Sequence, residues 1–106
     1  MAPDYPEEPL LARNQMIIQE VLGPDAEFIS MGFRLGNNES GDEKYGELLS
    51  KVLYNGTAGL IDLNLIQKQK VLGAYTWYWQ HRDYATHMFF GYAREGQGLD
   101  EVKELI

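Results

Sequence analysis

The chain has 106 residues, 44% of them hydrophobic and 24% charged, with no cysteine and a formal net charge of −7. That length holds one core and no second domain, and the composition excludes a disordered chain, a disulfide scaffold and thiolate chemistry of any kind. No apolar run reaches the roughly 18 residues that a membrane span needs, and the opening MAPDYPEEPLLARNQ lacks the basic start and apolar stretch of a secretory signal, so a cytoplasmic location is expected.

Residues 1–7, with two of the four prolines, form an acidic, extended arm by expectation, and a single domain follows over 8–106. Leu10, Leu11, Ile17, Ile18, Val21 and Leu22 recur at helical spacings before Gly23-Pro24, which predicts an amphipathic helix over 8–22. The period then drops to two. Ile29, Met31, Phe33 and Leu35 alternate with Ser30, Gly32 and Arg34, the pattern of a one-sided strand over 28–36. After the polar loop NNESGD a second helix is predicted over 42–54, with Tyr45, Leu48, Leu49, Val52 and Leu53 as its apolar stripe. Ser40 or Asp42 is a candidate N-cap, and Asn55-Gly56 can close the helix in the left-handed conformation.

LIDLNLI alternates again, which favours a strand over 60–66, although Ile61, Leu65, Leu72, Tyr75 and Trp79 also fit a helical stripe across 60–82. Two aromatic segments, at 71–80 and 85–94, read as strands, and LDEVKELI reads as a closing helix over 99–106. The expected fold is therefore α+β, with an antiparallel sheet of about four strands (28–36, 60–66, 71–80, 85–94) packed against helices 8–22, 42–54 and 99–106. If Arg82-Asp83 centres a tight hairpin, Trp79 faces Thr86, Trp77 faces Met88, Tyr75 faces Phe90 and Gly73 faces Tyr92.

Ala74–Tyr92 holds eight of the thirteen aromatic residues, both tryptophans and both histidines. His81 and Asp83, or His87, could orient an imidazole base, but a polar turn explains them as simply. Two histidines six residues apart match no helix-borne metal pair, so no metal site is expected. The glycines form no phosphate loop, and no cofactor is expected.

The surplus of tryptophan and tyrosine is more informative, because these types are enriched where one side of a surface meets a partner. The hairpin register gathers Tyr75, Trp77, Trp79, Met88, Phe90 and Tyr92 on one sheet face. Residues 1–50 carry ten acids and three bases, whereas 51–106 carry six of each. This asymmetry makes Glu39, Asp42, Glu43 and Glu47 a candidate surface for a basic protein partner, including a nucleic-acid-binding one, and argues against direct nucleic-acid binding. The sequence thus points to a non-catalytic interaction module, a small acidic adaptor, inhibitor or immunity-type protein that binds a protein partner or itself. The alternatives are an aromatic pocket for a small planar ligand, with His81, His87 or Asp62 as its polar contact, and an enzyme using His81, Asp83 or His87.

Overall fold

The structure, a computed structural model, describes residues 3–6, 9, 15–37 and 40–106. Its elements follow in the order β1 (Phe28–Leu35), α1 (Asp42–Leu53), α2 (Asp62–Ile66), β2 (Gly73–Gln80), β3 (Ala85–Tyr92) and α3 (Leu99–Leu105). The fold is α+β with an antiparallel sheet, as expected, but the sheet has three strands in the order β1-β3-β2. β3 is central and antiparallel to both neighbours.

The expected strand at 60–66 is instead helical. Leu60-Ile61 open a helical turn that widens into α2, where Gln67 N–H reaches back five residues to the Asp62 carbonyl at 2.8 Å. Asp62 supplies the local cause. Its Oδ2 accepts the backbone N–H groups of Asn55, Gly56 and Gly59 at 3.0, 3.1 and 3.0 Å. A carboxylate that gathers the donors of the preceding turn holds that turn against the helix start, and alternation alone does not reveal this competition. Ile61 and Leu65, four residues apart, then face the core together.

The first expected helix is corrected as well. Residues 15–22 are irregular and exposed, and residues 8 and 10–14 of that segment lie outside the described residues. An amphipathic pattern stabilises a helix mainly through the surface it packs on, and among the described residues Ile17, Ile18, Val21 and Leu22 of this segment are left exposed. Among the described arm residues, the carbonyls of Tyr5 and Pro9 accept hydrogen bonds from Arg82 at 2.8 Å and Arg34 at 3.4 Å.

α1 forms where its stripe predicts, but it is rotated. Gly46 is the buried residue of the helix, and a Cβ there would run into the Tyr78 ring of β2. The bare backbone lets α1 sit close on the sheet with Gly46 inward, which leaves Tyr45, Leu48, Leu49 and Val52 exposed. Gly41 occupies the N-cap position at φ +81°, while Ser40 Oγ accepts the Asp42 N–H at 3.3 Å; Gly56 at φ +81° follows the helix in the left-handed region, as expected.

The helices among the described residues all pack on one face of the sheet. α1 and α2 lie against β2, and α3 lies against β1 and β3, where Gly91 again leaves room for Val102 and Ile106. Between them Ile61, Leu65, Val71, Ala74 and Val102 form the core, with Ile29, Leu53 and Phe89 packed around it. Val71 precedes β2 and turns into this core, not onto the side of Tyr75 and the tryptophans. Gln97 ties the closing loop down: its Oε1 accepts the Arg94 N–H, and its Nε2 donates to the Lys70 carbonyl and to Glu101. No helix among the described residues is long and apolar enough to cross a membrane.

Candidate functional site: an open aromatic sheet face

The β2–β3 register follows from a turn in which His81 N–H donates to the Tyr84 carbonyl at 2.8 Å. It pairs Gly73 with Tyr92, Tyr75 with Phe90, Trp77 with Met88 and Trp79 with Thr86. Because side chains alternate across a strand, Tyr75, Trp77, Trp79, Met88, Phe90 and Tyr92 all stand on one face. The helices cover the opposite face. Trp77 and Trp79 are accordingly 62% and 60% exposed.

The face is ordered by ring contacts. Tyr75 stacks on Phe90 with centroids 4.8 Å apart and an interplanar angle of 17°, and stacks at 6.4 Å on Tyr92. A hydrogen bond with Tyr92, followed by burial, raises the Tyr75 phenol above its ordinary pKa. Two further rings join that sequence reasoning missed. Phe28 of β1, 48% exposed, lies 5.7 Å from Tyr92, and Tyr54 lies 6.2 Å from Tyr75. The placement of Phe28 depends on β1 pairing with β3, a non-local contact; its even-numbered position in the alternation was the one available signal.

At the hairpin end, His81 packs between Trp79, at 5.0 Å, and Tyr84, at 4.9 Å. The Arg34 guanidinium sits 4.6 Å from the centroid of the Tyr84 ring. Asp83 takes Arg82 Nε at 3.1 Å. His81 and Asp83 thus belong to a cationic, aromatic hairpin tip.

His87 is placed on the other side of the sheet. It is buried beneath the helices, and its Nε2 lies 2.7 Å from Thr76 Oγ1, whose own proton goes to the Met88 carbonyl at 2.8 Å. The hydroxyl can therefore only accept from the imidazole, which assigns the proton to Nε2. Burial pushes the His87 pKa below its usual value and favours the neutral ring. The structure does not bring His87 together with His81, which lies in the turn at the end of the strand pair.

The candidate acidic surface divides differently. Glu39 lies outside the described residues. Asp42, Glu43 and Glu47 occupy the first half of α1, on the helix-covered side, around Tyr78. Burial first, then these three carboxylates, raise the Tyr78 phenol above its usual pKa, and Asp42 Oδ2 also accepts the Gly36 N–H at 3.2 Å. The acids and the aromatic face are thus on opposite sides of the sheet. Asp62, the other proposed polar contact, is buried in its own turn, where its Oδ2 is taken up by the backbone N–H groups of Asn55, Gly56 and Gly59. Among the described residues no three His, Asp or Glu side chains cluster as metal ligands would. No protein-family model matches the chain, and no curated protein or solved structure matches it either.

Proposed function

We propose that the chain is a non-catalytic protein-interaction module that docks a polypeptide partner through the open face of its sheet. The single observation behind this reading is that both tryptophans of β2 are more than half exposed while every described helix packs on the other side. Trp and Tyr are the residue types that concentrate binding energy at protein interfaces, and a handful of such anchors, each worth about 2 kcal/mol or more, suffices for a specific complex. The stacked Tyr75 and Phe90 rings give those anchors a rigid base. Arg34, Arg82 and His81 add hydrogen-bond donors at one end, the polar rim such surfaces need.

The acids of α1 are then a second surface, free to attract a basic partner from the opposite side and to set its rate of approach. A pocket for a small planar ligand is the weaker reading, because Tyr75 and Phe90 fill the space between themselves by stacking. The test is affinity enrichment from a cell extract with the wild-type chain and with a Trp77→Ala/Trp79→Ala double variant whose circular dichroism is unchanged. A protein retained by the first and lost by the second is the expected result. Identical recoveries from both would remove the reading.

A further inference from the structure

A second apolar surface lies on the helix side, separate from the tryptophan face. Tyr45, Leu48, Leu49 and Val52 of α1, at i, i+3, i+4 and i+7, are 76%, 61%, 48% and 49% exposed. β1 and β2 run parallel with α1 and α2 in the connection between them, and such crossovers are right-handed. With Gly46 facing the sheet, that hand turns the 45/48/49/52 stripe away from β2 and toward β1. There Phe33, on the helix-covered side of β1 by alternation, is 53% exposed, since α3 covers only the end of the sheet at Ile29 and Gly91. The stripe as a wall and Phe33 as a floor outline an apolar groove.

The chain also contains a segment with the matching pattern and no packing of its own. Ile17, Ile18, Val21 and Leu22 are 63%, 68%, 88% and 103% exposed, spaced as one face of a helix, and Gly23-Pro24 offers a hinge before β1. The single charge over residues 15–22 is Glu20, and α1 presents Lys44 and Lys51 on its outer surface.

We propose that residues 15–22 of a second copy dock as an amphipathic helix in this groove, giving a reciprocally exchanged dimer. Exchange is favoured over docking within one chain because α3 stands over the end of the sheet where the hinge enters β1. The two tryptophans take no part in this contact.

Sedimentation equilibrium of the full chain tests the proposal. Wild type is dimeric across the micromolar range. Ile18→Glu and Leu48→Glu, both at exposed positions, each weaken association roughly 100-fold with circular dichroism of the β-sheet retained. A milder Lys51→Glu, which sets like charge against Glu20, weakens it roughly 3- to 10-fold. Mixing the Ile18→Glu and Leu48→Glu chains restores dimers through the one intact segment and the one intact groove, and Trp77→Ala/Trp79→Ala stays dimeric. A monomeric wild type, variants as dimeric as wild type, or a mixture that stays monomeric would overturn the exchange. Dissociation by the tryptophan variant alone would place self-association on the aromatic face instead.

Discussion

Replacing Asp62 should unfasten the junction between α1 and α2. Its Oδ2 accepts three backbone N–H groups, of which the bond from Gly59 is buried and those from Asn55 and Gly56 are partly buried. Loss of the acceptor leaves the Gly59 donor without water, at about 1–3 kcal/mol, and costs about 0.5–1.5 kcal/mol for each of the other two, which solvent can reach. Asp62→Ala should therefore lower unfolding free energy by about 2–6 kcal/mol, a large share of the roughly 5–15 kcal/mol available to a domain of this size. Asp62→Asn keeps one oxygen in place and loses the charge assistance, so about half that loss is expected. Urea unfolding followed by far-UV circular dichroism measures both, with the midpoint shifting and the slope unchanged. If either variant unfolds within 0.5 kcal/mol of wild type, roughly the size of a surface substitution, the turn is not held by this carboxylate.

Burial lowers the His87 pKa below the unfolded value of about 6.5. Above that pH both states hold a neutral ring; below it the unfolded chain binds a proton that the folded chain resists, so stability falls as pH drops from about 6.5 toward the folded pKa, by up to about 1.4 kcal/mol per pH unit. Thermal melts across this window should show a steeper loss for wild type than for His87→Gln, and equal slopes would contradict the buried neutral imidazole. Gly46→Ala would normally stabilise a helix by about 0.5–1 kcal/mol; here the new methyl meets the Tyr78 ring, so a net loss of about 1–3 kcal/mol is expected. A stabilised Gly46→Ala would mean that α1 does not sit that close to β2.

Local patterns were legible where local physics decides them. The β2–β3 register is the one that a hairpin centred on Arg82-Asp83 gives, and alternation then puts Tyr75, Trp77, Trp79, Met88, Phe90 and Tyr92 on one face. α3 and α1 follow from helical spacing and their flanking glycines. The LIDLNLI stretch was misleading because Ile61 and Leu65 satisfy both periods, and what tips it to helix is one carboxylate reaching three backbone donors. The orientation of α1 was hidden for a different reason. Its apolar stripe suggested the inward side, yet a glycine next to that stripe allows a closer approach to the sheet than leucine can. The segment at 15–22 shows the same limit: amphipathicity names a face but not the surface it meets.

The two tryptophans of the chain both stand on the open sheet face, so intrinsic tryptophan fluorescence reports that face and nothing else. Acrylamide quenching of the isolated chain should approach that of a free indole, and a bound protein partner should blue-shift the emission and shield it. Blue-shifted, quench-resistant emission from the isolated chain would contradict the open face on which the proposed function rests.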